Sequence, residues 1–334
     1  MRVTGFGDYI IHFSPEGYDR LWQAENMRIS FTGAEANVCA ALAFWGEKVS
    51  FVTRLPEHQL SRRAVSVMKS LDIDTSRICF GGERMGLCYL ENGASVRASC
   101  VIYDRANSSF TEARSGDFDI DGIIDNTDIL YLTGVTCALS ENLFECCLAL
   151  CKSAKERGVS VVFDVNYRSR LSSPERAAEF LRTMSPYISC LISNEEHLKL
   201  LLGISGKFGE DETEARLLDI SRQARAVLSV PKIAVTVRRT ISASDNVVYA
   251  SYLDGDDFAV SKKHGVHIVD RVGSGDAFSA GLVYSMIHGY SVSDAVEFAA
   301  ASNAIKHTIV NDINYASVDE IKRVLDGRFG DVRR

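Results

Sequence analysis

Asp270-Arg271-Val272-Gly273-Ser274-Gly275-Asp276-Ala277-Phe278-Ser279-Ala280-Gly281 is the stretch that decides how this chain folds. Just before it, Val266-His267-Ile268-Val269 has the β-branched composition of a strand end. From Ala277 onward Phe278, Leu282, Tyr284, Met286 and Ile287 supply the apolar members of a helix, which Gly289 stops. Two glycines at a strand-to-helix junction let backbone N–H groups converge with no side chain in the way. The helix N-terminus adds partial positive charge, so the junction suits an anion. The same dipole favours an ionised Asp276, for which a low pKa is expected. The tetrapeptide Gly273–Asp276 by itself is more often a tight turn with a helix-starting acid. Two rival phosphate motifs are missing. Gly203-Ile204-Ser205-Gly206-Lys207-Phe208 lacks the spacing and hydroxyl of a P-loop, and Gly5-Phe6-Gly7 lacks the third glycine and following helix of a dinucleotide fingerprint.

Outward from this junction, short β-branched runs alternate with helical patterns. Strands are expected at 49–53, 129–133, 159–165, 188–193 and 233–237, and helices at 34–45, 62–71, 141–157, 175–184 and 212–228. Gly46 and Gly158 sit where helices end, and Ser140 where one begins. Such alternation predicts an α/β fold: a mainly parallel sheet covered by helices on both faces. Residues 9–32 and 84–109 break the rhythm, with polar–apolar alternation and no helices. They are expected to form a small antiparallel sheet, a lid or a dimer surface, beside a core made of 1–8, 33–83 and 110–330.

At 334 residues and 46% hydrophobic composition the chain can bury a large core. Its 37 basic residues against 44 acidic ones, a net charge of −7, argue against a nucleic-acid partner. An anionic ligand must therefore be met by local arginines or helix ends. No apolar run is long enough to span a bilayer, and the start at Met1–Gly7 lacks a secretory pattern, so neither membrane nor export is expected. The nine cysteines include no Cys-x-x-Cys pair. Cys147 and Cys151 share a helical face with Phe144 and Leu148, as core residues do, which favours reduced thiols in a cytoplasmic protein.

The string 270–281 closely resembles the C-terminal signature of the PfkB-type (ribokinase-like) carbohydrate kinases, and the likeness extends over almost the whole chain. It implies a ribokinase-like α/β fold with a small β lid, Asp276 as catalytic base, and Gly273, Ser274 and Gly275 as the anion hole for the transferring phosphoryl group. Thr32-Gly33-Ala34-Glu35-Ala36-Asn37-Val38 resembles the family's sugar-binding segment, which makes Gly33, Ala34 and Asn37 substrate contacts. Without the likeness, Asn37 is more simply a residue buried on a helix.

Within the family the chain is similar to 2-keto-3-deoxygluconate kinases. The lid stretches 86–91 and 103–109, Asp164-Val165-Asn166-Tyr167-Arg168 and Lys306-His307-Thr308-Ile309 carry that likeness. It implies that Tyr89, Tyr103, Arg105, Arg168 and Asp312 contact a sugar acid, whose carboxylate suits planar guanidinium donors. On their own, the two arginines read more simply as surface ion pairs with Asp104 or Asp164. The likeness also implies ATP and Mg²⁺, with Asn166, Arg168, Asn194, Thr236, Arg238, Ser242, Gly273 and Gly275 around the nucleotide and Glu196 acting on the metal through water. Residues 236–244 are otherwise an exposed hairpin, and 194–196 an acidic first helical turn. The sequence departs from the family at Thr32, Ser61, His197 and Asn311, each in place of a more usual Gly or, at His197, Glu. Asn311 bears on a monovalent-cation site. The resemblance further implies a homodimer through the lid. Two alternatives stay open: a fructokinase or other sugar kinase, and a catalytically weak sugar-binding or regulatory protein that keeps the fold.

Overall fold

The computed structural model describes residues 1–209 and 211–328; residue 210 and the last two positions of the expected core, 329–330, lie outside the described residues. Nine strands form one sheet among them. Six run parallel, in the order Lys48–Val52, Arg2–Phe6, Ile129–Thr133, Ser160–Asp164, Cys190–Asn194 and Lys232–Thr240. Asp245–Asp254 then pairs antiparallel with the last of these and carries both Asp257–Val260 and His264–His267 on its far side. Every strand and helix range predicted from the sequence is present, with ends that shift by no more than three residues.

Both faces of the sheet are buried, and the side-chain alternation of a strand sorts residues between two cores. Ile129, Tyr131, Val162 and Ile192 face one core, with the helices Ala34–Phe44, Ser274–Ile287 and Val292–Lys306. Leu130, Leu132, Val161, Phe163 and Leu191 face the other, with Glu141–Glu156, Pro174–Met184 and Thr213–Leu228. Gly46 and Gly158 end their helices at φ 88° and 70°, and Ser140 Oγ accepts from the Leu143 amide at 3.3 Å. Cys146, Cys147 and Cys151 are core residues, and all nine cysteines are free.

The helix Ser274–Ile287 crosses Val292–Lys306 closely: a Cβ on Gly281 would lie 2.8 Å from the Ala299 Cα. That contact fixes the helix whose N-terminus bears Asp276.

A second sheet of four strands runs in the order Met27–Thr32, Ile10–Pro15, Leu87–Glu91, Cys100–Asp104. It is mixed rather than antiparallel, because Ile10–Pro15 and Leu87–Glu91 run parallel across the join between two separate hairpin-like excursions. Each excursion leaves the core in the same direction, so the strands that meet must point the same way.

Candidate active site

The parallel strands end on one edge, and a cavity of about 750 Å³ opens there beneath the small sheet. Open α/β sheets collect ligands at this edge because the chain diverges there into loops and helix N-termini. Asp164 and Asn194 contribute from strand ends, Thr236 and Arg238 from the next strand, and Gly273, Ser274, Gly275 and Asp276 from the glycine turn. The lid adds Ile10, His12, Cys88, Leu90, Tyr103 and Arg105.

Gly273 has φ 77°, and a Cβ there would sit 1.9 Å from the Asp312 carbonyl oxygen, so both conformation and space require glycine. A Cβ on Gly275 would meet nothing within 4 Å. That position is open toward the cavity, as a cradle for an incoming group must be. Ala277 makes the first intrahelical bond, to the Gly273 carbonyl at 2.8 Å. The amides of Gly275 and Asp276 therefore belong to the unsatisfied helix mouth.

The Asp276 carboxylate accepts a 2.7 Å hydrogen bond from Asn37 Nδ2. Asn37 in turn donates to Thr32 Oγ1 at 3.2 Å. Thr32 thus supplies a hydroxyl that orients the amide, which a glycine would lack. Although Asp276 still opens to the cavity, surrounding protein pushes its pKa up to about 6; the Asn37 bond and the Arg168 charge oppose the rise, while Asp312 adds to it. The low pKa expected from the helix end is corrected: a dipole worth under about 1–2 kcal/mol loses to desolvation and a neighbouring carboxylate.

Glu35 is buried behind this group. Its Oε1 accepts from the Thr133 amide (3.1 Å), the Thr133 hydroxyl (2.8 Å) and the Thr136 hydroxyl (2.6 Å). Burial still raises its pKa to about 7. Gly33 permits the adjoining chain to touch, since a Cβ there would lie 2.0 Å from the Asp8 carbonyl oxygen. Gly33, Ala34 and Asn37 all line the cavity.

At the lid end the Arg105 guanidinium lies 4.1 Å from the centre of the Tyr103 ring. Its nearest carboxylate is Asp8 at 3.7 Å, and Arg105 Nε is buried without a hydrogen-bond partner. Asp104 pairs instead with Arg84, at 2.8 Å. Asp312 lies at the cavity floor and bonds His12 Nδ1 at 2.7 Å, both side chains 2% exposed. Tyr89 is outside the cavity lining. Strand alternation turns Cys88 and Leu90 inward and Tyr89 outward, where it stacks on Phe13 at 5.2 Å.

Across the cavity from the lid stand Asn166, Arg168, Asn194, Glu196, Thr236 and Arg238. Asn194 Oδ1 caps the helix Glu195–Leu202 by accepting from the His197 amide at 2.7 Å. Glu195 is taken by Arg216, which leaves the exposed Glu196 as the acid facing the cavity. His197 packs edge-on against Tyr167, and burial together with the Arg168 charge pushes its pKa down to about 4. Ser242 lies outside the lining; its hydroxyl bonds Asp245 at 3.0 Å and shapes the turn.

Sequence reasoning assigned no role to His12, Asp8, Arg271 or Lys306. Arg271 stands inside the decisive stretch, and its Nε and an Nη atom are buried without partners beside the cavity. Its charge next to Arg238 is a signal for an anion that a linear motif leaves implicit.

A carboxylate held by a neighbouring amide at the mouth of a helix, inside a cavity that several arginines line, suits transfer of an anionic group to a hydroxyl. The chain belongs to the pfkB family of carbohydrate kinases, whose pattern matches residues 2–315, and it has the ribokinase-like fold. It is similar to the crystal structure of a 2-dehydro-3-deoxygluconokinase from Thermotoga maritima, with 35% identity, a TM-score of 0.94 and 98% of each chain covered. It is 29% identical to a 2-dehydro-3-deoxygalactonokinase of Haloferax volcanii, over 98% of this chain and 97% of that one. It is also 27% identical to a 5-dehydro-2-deoxygluconokinase of Clostridium perfringens, over 97% and 92%. Among the described residues no helix is long and apolar enough to cross a membrane.

Proposed function

We propose that this kinase transfers the γ-phosphoryl group of ATP to a hydroxyl of a keto-deoxy sugar acid, with 2-keto-3-deoxygluconate as the favoured substrate and its 6-phosphate as product. The observation that carries the reading is Arg105: a guanidinium 13% exposed, in the cavity shared with Asp276, whose nearest carboxylate is beyond hydrogen-bond reach at 3.7 Å. Such a group is complementary to a ligand carboxylate. Asp8 balances its charge without a hydrogen bond, so a neutral sugar leaves the guanidinium donors without a matching acceptor. The names of the three similar proteins support the same substrate class.

Asp276 orients the acceptor hydroxyl and takes its proton late in the transfer, for which a pKa of about 6 is better matched than an ordinary carboxylate's. The helix-mouth amides, with Arg168, face the transferring group, and Arg238 and Arg271 the rest of the phosphate chain. Bound Mg²⁺ neutralises phosphate charge. The donor set fits an ion held mainly by phosphates and water: among the described residues no three His, Cys, Asp or Glu side chains cluster as a metal cage, and Glu196 is the acid at hand.

Residues 9–32 and 84–109 then act as the lid of a core made of 1–8, 33–83 and 110–330. The lid's outer face carries Ile29, Phe13, Tyr89 and Ile102 in one register row across all four strands. Ile29 is 38% and Ile102 47% exposed, and a second copy of the lid is the partner that would cover such a row. Nine free thiols suit a reducing compartment such as the cytoplasm.

Phosphorylation assayed with ATP and Mg²⁺ across sugar acids and neutral sugars tests the reading. The 2-keto-3-deoxy acids should give the highest kcat/KM. A neutral hexose that beats them contradicts it, and no turnover on any compound favours a binding protein instead.

A further inference from the structure

Lys306 is the last residue of the helix Val292–Lys306, and it is 0% exposed. Its Nζ donates to the Ile309 carbonyl at 3.0 Å. Burial pushes its pKa down, and the carboxylates of Asp270, Asp312 and Asp276, none of them in ion-pair contact with it, oppose that shift. Burying an ammonium costs several kcal/mol before pairing, and a well-packed apolar residue is usually at least as stabilising. Stability alone therefore gives no reason for a lysine here, and the phosphotransfer chemistry described above does not use it.

What surrounds Lys306 is the seam between two turns. Asp270 Oδ1 accepts from the Val272 amide at 3.0 Å, and Oδ2 from the Asn311 amide at 2.9 Å. The amides of Val269 and Asp270 donate to the His307 carbonyl at 2.8 and 3.2 Å. Gly273 packs directly on the Asp312 carbonyl. The anion-hole turn is thus held in place by the segment from Lys306 to Asp312, and the seam gathers two carboxylates, Asp270 and Asp312, with Asp276 nearby. His12 faces Asp312 from the lid at 2.7 Å. Asn311 keeps the turn because asparagine tolerates its φ of 69°.

A single positive charge buried on a backbone carbonyl, in the field of nearby carboxylates, is what a bound monovalent cation would present at such a seam. We propose that the Lys306 ammonium is a built-in cation that holds the anion-hole turn in register and makes the enzyme independent of added monovalent ions. The residues present therefore do not call for the monovalent-cation site that the family resemblance suggested. Lys306 is a positioning residue, since it acts through the Ile309 carbonyl and the 306–312 segment that supports the turn rather than on substrate. Its catalytic consequence rests on the kinase reading; its effect on ion binding does not.

The test compares wild type with Lys306→Met in KCl, NaCl and tetramethylammonium chloride at constant ionic strength. Wild-type kcat should change less than about twofold across the three salts, and its Tm by less than about 1 °C. Lys306→Met should lose kcat by about a hundredfold, the scale for losing one anion-hole donor, with the sugar-acid KM moved less than about threefold. K⁺ or methylammonium should restore about tenfold of that loss and raise the variant's Tm. Activation of wild type by K⁺ of tenfold or more would overturn the proposal. So would a variant that keeps its kcat, or one whose loss and Tm no cation moves. If Lys306→Met does not fold, the wild-type salt series and Lys306→Gln decide by the same criteria. If wild type turns over no sugar, the kinase reading fails while the melting series still decides whether a cation binds.

Discussion

Replacing Asp276 with asparagine should abolish most turnover and, above pH 7, make the ligand-free protein more stable. The Asp276 carboxyl is held at about 6 in the fold, against about 4 in an unfolded chain. A carboxyl with a raised folded pKa favours the folded state while it stays protonated. That contribution is present below about pH 4 and is lost as the pH rises to about 6. At pH 8 the wild type carries the full cost, at most about 3 kcal/mol from the two values and roughly 1–2 kcal/mol for a group still open to a wet cavity. An asparagine carbonyl still accepts the Asn37 bond and carries no charge. Differential scanning calorimetry at pH 8 should therefore show Asp276→Asn melting roughly 1.5–3 °C above wild type, with the gap about halved at pH 5 and closed near pH 4. Under the same conditions kcat should fall by about 10²–10⁴ while the KM values change little. A variant that melts below wild type at pH 8, or whose advantage ignores pH, would refute the reasoning about the buried carboxylate. A kcat within tenfold of wild type would remove Asp276 from the base role.

Four further outcomes can be measured independently. The kcat/KM profile should rise with pH and level above about 6, standing at roughly a tenth of its plateau one pH unit below; Asn37→Ala removes a bond that lowers the Asp276 pKa, so its inflection should move up. Arg105→Ala should raise the sugar-acid KM about 10–100-fold, as expected for a lost charge-assisted bond, and an unchanged KM in steady-state kinetics would deny the carboxylate contact. Gly273→Ala combines a left-handed φ with a backbone clash at 1.9 Å, so chemical denaturation should show a loss of about 2–4 kcal/mol; a loss under 0.5 kcal/mol contradicts the packing described. Ile102→Asp places a charge in the outer lid row, and sedimentation should show a shift from dimer toward monomer, whereas identical wild-type and variant masses argue against that interface.

The sheet core was legible because its parallel strands are short β-branched runs separated by helices with clear caps, as at Ser140, Gly46 and Gly158. The helix Val292–Lys306 was not, since it is buried on nearly all sides by alanines and serines and so shows no apolar stripe. Asp245–Asp254 and Asp257–Val260 also escaped, because the polar residues between them read as loop, and the strand end read at 266–269 falls two residues earlier, at His264–His267. Asp276, Asn37 and Arg105 all line the one cavity. Tyr89 and Ser242 show where motif likeness stops: one-residue alternation turns the first outward, and a local turn bond occupies the second. His12 and Asp312 meet across 300 residues, and Lys306 acquires its meaning only from the seam in which the fold buries it, on the Ile309 carbonyl beside the glycine turn. Such juxtapositions have no signature in linear spacing.

The central claim is that the cavity reads a carboxylate at Arg105 while Asp276 activates a hydroxyl. The most direct measurement is kcat/KM for 2-keto-3-deoxygluconate against an analogue whose carboxylate is replaced by a primary alcohol, in wild type and in Arg105→Ala. Wild type should prefer the acid by at least about tenfold, and Arg105→Ala should erase most of that preference by losing activity on the acid alone. Equal activity on the two compounds in wild type, or a preference that survives the loss of Arg105, would contradict the account.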